Sequence, residues 1–304
     1  MVKRVLVLLS TGKQGRCVVE TLSGRHFQVI ALARTAQGPV AQQLASLPNV
    51  SLLEGDIGTE ESANSVLVRA SADGPLNGVV LIQRDEYAVK DGEVEEAKRV
   101  VEQVKKHHVG HIVYLGMDMS TTKETTIPYV ENKRRVDALI RESASGENAY
   151  KWTILRPSTF FENLTDDPSQ AGFMITLCTK LIRKPAPWVS TRDTAHFAAA
   201  SLESPGTFHG KTIPLAGDLV DRQRFEEEWL RAGLPKRILD EVPESAVIQA
   251  LEGTLTYGLI EFLNSTNAEV DIAHVRAIHP QVVDLRAFLE ANKDVLAASL
   301  NNKQ

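Results

Sequence analysis

Cysteine is scarce in this chain of 304 residues. Only Cys17 and Cys178 occur, and their spacing gives neither a disulfide framework nor a zinc site. Basic charge is not in excess: the formal net charge is -5 at pH 7. Nothing is left to offset the charge of a nucleic-acid backbone, so binding of DNA or RNA by this chain alone is not expected. The histidines lack metal-ligand spacing with another His or Cys, and no metal site is expected. No uncharged apolar stretch is long enough to span a bilayer. Met1-Val2-Lys3-Arg4 leads into an apolar run too short for a signal-peptide core, with no small-residue cleavage site behind it. The expected setting is therefore the cytoplasm or nucleocytoplasm, with no membrane partner. Internal repeats and low-complexity segments are absent.

What is present is a globular composition, 43% hydrophobic and 24% charged. The length suits one α/β domain with a smaller companion, or one large domain. The apolar run Val5-Leu6-Val7-Leu8-Leu9 stops at Ser10-Thr11-Gly12-Lys13-Gln14-Gly15, and a helix-period pattern (Val18, Val19, Leu22) follows at once. Strand, tight turn and helix in that order point bare backbone N–H groups and a helix N-terminus at a diphosphate. Thr11, Gly12, Lys13, Gln14 and Gly15 are the candidate phosphate-turn residues. The full fingerprint has a further glycine where Leu9 stands, and a leucine there loosens the grip or partly fills the pocket.

The first half alternates. Short β-branched runs at 4–9, 27–33, 50–54, 78–82 and 111–115 are each followed by a helical pattern, clearest at 89–108. A further helix opens near Pro128-Tyr129, and a sixth strand spans 152–156. Strands apolar on both faces belong in a parallel sheet covered by helices. The fold class expected is α/β, a doubly wound parallel sheet of the Rossmann kind, with a smaller irregular α/β C-terminal module. Residues 1–156 are read as the dinucleotide-binding domain. Residues 157–304, punctuated by prolines, are read as a substrate or partner module on the carboxyl edge of the sheet.

The second strand ends in Arg34-Thr35 with no acid. An NAD site usually places a carboxylate there for the ribose hydroxyls, whereas a guanidinium suits a 2′-phosphate. The inference is NADP(H) over NAD(H), with Lys13 as a second positive charge. Asp56, after the third strand, is read either as a contact to the adenine edge or as an N-cap for the helix at 60–69.

Tyr129 and Lys133 are four residues apart, on one face of the helix after the fifth strand. Lysine beside a phenol favours the phenolate, and such a tyrosine can deliver a proton to a carbonyl. The lysine can also hold the nicotinamide ribose. The alternative is a surface tyrosine beside a solvated lysine. A hydroxyl to polarise the carbonyl belongs on the loop after Leu115, where Ser120 is the best candidate; Gly116 and Met117 cannot serve.

Taken together, the Thr11-Gly12-Lys13-Gln14-Gly15 turn, Arg34, Gly55-Asp56, Lys133, the stretch Trp152-Thr153-Ile154-Leu155-Arg156-Pro157-Ser158-Thr159-Phe160-Phe161-Glu162-Asn163-Leu164 and the later segment Val189-Ser190-Thr191-Arg192-Asp193-Thr194-Ala195 resemble the NmrA-like family of atypical short-chain dehydrogenases/reductases. The resemblance covers nearly the whole chain. It implies a Rossmann fold that binds NADP(H), in a family holding both redox-sensing regulators and reductases, some of them in specialised metabolism. Regulators commonly carry a histidine where this chain has Tyr129. At the end of the sixth strand, Phe160, Phe161 and Asn163 are expected to line the carboxyl edge, where two aromatics and an amide suit a nicotinamide or a flat substrate; the other reading of the aromatics is core.

The expected function is an NADP(H)-dependent oxidoreductase acting on a carbonyl or conjugated double bond of a small, partly aromatic metabolite. The alternatives are an NADP(H)-sensing regulator without turnover, which needs a protein partner, and a non-redox enzyme on the same scaffold performing an elimination, cyclisation or rearrangement. A homodimer is a further option for any of the three.

Overall fold

The computed structural model describes residues 2–84, 91–119, 127–165, 174–236, 243–252, 254–266 and 270–301. Its first half is the expected alternation: β1 Arg4–Val7, α1 Lys13–Gly24, β2 Gln28–Ala33, α2 Pro39–Ala45, β3 Val50–Glu54, α3 Glu60–Ala70, β4 Gly78–Leu81, α4 Gly92–Lys106, β5 His111–Leu115, α5 Pro128–Ser143 and β6 Lys151–Pro157. A seven-stranded sheet has the order β3-β2-β1-β4-β5-β6-β9, with β9 at Lys211–Leu215. Strands β1 to β6 pair in parallel. The order reverses between β1 and β4, and this switch point at the carboxyl ends of the strands is where such sheets bind ligands.

Burial explains why these segments are strands. Every residue of β1, β4 and β5 is buried, so the apolar runs are covered on both faces. Helix α4 buries Val94, Ala97, Val100, Val101 and Val104 on one stripe and carries Lys105 and Lys106 in its last turn, where cations meet the negative end of the helix dipole. It begins at Gly92, behind Asp91 in a left-handed conformation. Strand β1 ends two residues earlier than the apolar run, because Leu8 and Leu9 already belong to the turn.

The chain divides into two compact units. The first comprises 1–117, 128–156 and 194–213, and the second 118–127, 157–193 and 214–304. Helix α6 (Thr191–Glu203) thus lies mainly in the first unit. The second unit contains a three-stranded sheet of order β10-β8-β7, with β7 Thr159–Phe160, β8 Ala186–Val189 and β10 Asp218–Val220. Its core gathers Phe161, Trp188, Phe225, Trp229 and Phe288. Residues Arg222–Arg231 form a helix that buries Phe225 and Trp229.

Candidate functional site: a cavity at the switch point

The turn between β1 and α1 is built around Leu9, whose φ is 48°. A leucine in the left-handed region costs about 1–2 kcal/mol. The turn is held in place by neighbours: Ser10 donates to the Leu32 carbonyl through its backbone N–H (3.3 Å) and its Oγ (2.7 Å). Gly15 makes the close approach possible, since a Cβ there would sit 2.2 Å from the Leu9 carbonyl oxygen. Gly15 therefore allows helix–turn packing, the role of the third fingerprint glycine. Helix α1 starts behind Gly12 with no side-chain cap and no acid in its first turn. A helix start without a side-chain cap or an acid presents the positive end of its dipole, which suits an anion.

A cavity of about 590 Å³ opens beside this turn, within the first unit. Leu9, Thr11 and Gly12 form one wall; Arg34 and Thr35 follow β2, Asp56 and Ile57 follow β3, and Ile82 and Arg84 follow β4. Leu9 is part of the wall and does not fill the space. Lys13, Gln14 and Gly15 are not among the lining residues: Lys13 is exposed, Gln14 half-buried and Gly15 buried beneath the turn.

Asp56 is exposed and accepts hydrogen bonds from the Gly58 N–H (2.8 Å) and Ser62 Oγ (3.0 Å), which hold its carboxyl below the usual range. It does not cap α3. That place belongs to Thr59, in a reciprocal capping box with Ser62. Glu54, at the end of β3, accepts from the Ala36 N–H at 2.8 Å and shapes the loop that carries Arg34.

Tyr129 and Lys133 share a face of α5, and Lys133 Nζ lies 5.3 Å from the centre of the Tyr129 ring. The ammonium is also 3.3 Å from Glu93 Oε2, with both side chains buried. Glu93 opens α4, and its carbonyl accepts from Gln83 Nε2 at 2.6 Å. Neither Tyr129 nor Lys133 lines the cavity. Ser120 lies outside the described residues.

Phe160 and Asn163 belong to the second unit and are half-buried. Phe161 departs from the expected edge position: it is fully buried, stacked on Trp188 (5.6 Å) and Phe288 (5.2 Å). An aromatic next to a β-strand end is better covered by two other rings than left at a crevice. In the same unit Glu162 accepts from Ser190 Oγ at 2.6 Å and the Thr191 N–H at 3.1 Å. Asp193 accepts from the Val283 N–H at 3.0 Å and meets His279 Nε2 at 3.0 Å, while burial pushes its carboxyl upward.

Sequence reasoning missed three polar residues: Arg84 and Glu96 on the cavity wall, and Glu93 beneath Lys133. Arg84 follows its strand by three residues, a spacing that could have singled it out. Nothing in sequence marked Glu93, since its partner comes from the next helix.

The NmrA-like family model matches residues 1–249. The chain belongs to the NmrA-like family. Among solved structures, this NmrA-like chain resembles NmrA, a negative transcriptional regulator crystallised with NADP (TM-score 0.66, 15% identity, 100% of this chain and 98% of that one). It also resembles the Citrobacter sp. triphenylmethane reductase complexed with NADP(H) (TM-score 0.66, 17% identity, 95% and 99%). A nucleoside-diphosphate-sugar epimerase from Staphylococcus aureus gives a TM-score of 0.72 at 16% identity, over 95% and 100% of the two chains. At these identities the likeness is one of fold. A search of curated protein sequences finds no match. Among the described residues, no helix is long and apolar enough to cross a membrane and no group of three or more His, Cys, Asp or Glu could hold a metal ion.

Proposed function

We propose that this NmrA-like protein is an NADP(H)-dependent oxidoreductase that reduces a carbonyl or conjugated double bond of a small, partly aromatic metabolite. The observation that carries the reading is the ~590 Å³ cavity with Arg34 on its wall beside an uncapped helix start. Its residues suit an adenosine dinucleotide: Gly15 permits the tight turn, Gly12 keeps the backbone bare, and no acid ends β2 to repel a 2′-phosphate. Structural neighbours of the chain are crystallised with NADP and NADP(H), which supports the same cofactor here.

The cofactor, when bound, would supply hydride. Thr11, Gly12, Arg34 and Asp56 would hold its adenosine and phosphate end, with Phe160 and Asn163 proposed for its nicotinamide end. Tyr129 would hold the proton for the substrate oxygen at its hydroxyl, and Lys133 would orient the ring and the nicotinamide ribose. Ser120 is the proposed partner of the substrate oxygen.

One observation favours a second reading, a regulator that binds NADP(H) without turning it over. The Lys133 ammonium is already committed to Glu93, and a lysine so engaged has less charge to offer the phenol. Calorimetric titration with NADPH and NADH, followed by NADPH oxidation with a panel of carbonyl and enone substrates, tests both. Turnover lost in Tyr129→Phe with NADPH binding intact supports the reductase. Tight NADPH binding with no turnover of any panel member, together with a cofactor-dependent protein partner, supports the regulator. Binding of neither dinucleotide below millimolar concentration rejects both.

A further inference from the structure

We propose that Arg84 is a cofactor-binding residue that neutralises the diphosphate of NADP(H). The inference rests on the reading of the cavity as a dinucleotide site and adds the residue that meets the charge at its centre.

Three observations place Arg84 there. It lines the same cavity as Leu9, Thr11 and Gly12. It is exposed, and among the described residues it has no ion pair or hydrogen bond, so its guanidinium is available. Its strand is the neighbour of β1 on the side opposite β2. Val7 pairs with Ala31 of β2 and with Val80 of β4, and the Leu8 N–H donates to the Val80 carbonyl at 3.1 Å. Arg34 stands three residues past Ala31 and Arg84 four past Val80. The backbones that carry Arg34 and Arg84 therefore leave the sheet on either side of the strand that leads into the phosphate turn, from strands two spacings apart, roughly 10 Å. A ribose 2′-phosphate and the diphosphate on the 5′ side of the same ribose need two cations arranged in this way, one per phosphate group.

The departure in the turn supplies the physical need. A glycine at the Leu9 position would leave only backbone against the diphosphate. Leu9 instead turns an apolar side chain to the cavity wall, which donates no hydrogen bond and removes water from the phosphates. Partial desolvation of an anion is costly unless a cation replaces the lost water. An arginine fork does so with paired, charge-assisted hydrogen bonds.

The test is calorimetry on the full chain with four ligands: NADPH, NADH, adenosine 2′,5′-bisphosphate and 2′-AMP. Arg84→Gln is expected to weaken NADPH and NADH by the same factor, about tenfold. It should weaken adenosine 2′,5′-bisphosphate in the same direction and leave 2′-AMP within about twofold. Arg34→Gln serves as the contrast, weakening NADPH and 2′-AMP but not NADH. Arg84→Lys should recover part of the loss, because it keeps the charge and loses the fork. Thermal melts of both Arg84 variants should match the wild type, since the side chain is exposed.

Three results overturn the inference: unchanged dinucleotide affinity in Arg84→Gln, a loss confined to NADPH (Arg84 would then read the 2′-phosphate), or an equal loss for 2′-AMP (it would then hold the adenosine). A wild-type chain that binds no dinucleotide rejects the cofactor reading itself, and is recognised before any variant is measured.

Discussion

Lys133 Nζ lies 3.3 Å from Glu93 Oε2, and the two side chains are only 4% and 1% exposed. The pair joins the first turn of α4 to the first turns of α5. Breaking a buried pair strands the remaining charge, which costs more than removing both. Glu93→Gln is expected to lower unfolding stability by about 3–5 kcal/mol, and Glu93→Gln combined with Lys133→Met to recover most of it. Urea denaturation of the three variants checks this; equal stability of wild type and Glu93→Gln would show that the pair carries no weight.

The phosphate turn makes opposite demands at its two ends. Gly15→Ala drives a methyl into the Leu9 carbonyl, 2.2 Å away, and a backbone atom cannot step aside. The expected loss is about 2 kcal/mol or more, with weaker dinucleotide binding, because the turn must shift. Leu9→Gly removes the left-handed strain at φ 48° while losing some packing, so stability should stay within ~1 kcal/mol of wild type. Its NADPH affinity should rise, since the apolar wall beside the phosphates is gone. Melting curves and calorimetry of the two variants separate these effects.

Cofactor choice is expected to turn on the end of β2. Arg34→Asp replaces the fork with the acid that NAD sites carry there. NADPH affinity should fall by roughly a hundredfold through lost pairing and added repulsion, and NADH affinity should hold or rise. The ratio of the two dissociation constants is the measurement, and a preference that stays with NADPH would place the 2′-phosphate elsewhere.

His111 makes the stability of the chain depend on pH. It is buried in β5, with Nε2 2.9 Å from Thr153 Oγ1. That hydroxyl donates to the Phe208 carbonyl at 3.0 Å, so it accepts from the ring, and the proton is on Nε2. Burial first, and then the charges of His209, Lys151 and Lys3, push the imidazole from 6.5 down to about 4. Below pH 6.5 the unfolded chain binds a proton that the folded chain does not. Stability from this group is therefore complete above pH 6.5 and falls as the pH drops toward 4, by roughly 3 kcal/mol at most. Urea midpoints between pH 4 and 7 should show this slope, and His111→Gln should flatten it.

Much of the first unit was legible in sequence because its signals are local. Continuous β-branched runs bounded by turns marked the strands of the parallel sheet, and Ser10 to Gly15 marked the phosphate turn by its place between a strand and a helix. Arg34 was found through a fixed relation to a strand end. Boundaries were less legible: the apolar run reaches Leu9, but the strand ends at Val7 because the turn needs Leu9 in a left-handed conformation. Asp56 was a candidate cap, yet Thr59 and Ser62 satisfy the helix start reciprocally and leave Asp56 on the cavity wall.

Sequence by itself determined the α/β alternation, the strand that opens the sheet and the residue types at its carboxyl edge, since hydrophobic period and turn chemistry act over a few residues. Tertiary structure alone decided which of these meet. It set Arg84 on the wall shared with Leu9, joined Lys133 to a carboxylate 40 positions earlier, and turned Phe161 into the core of the second unit. Such pairings arise when separate strands and helices are brought together by burial, and no spacing along the chain encodes them.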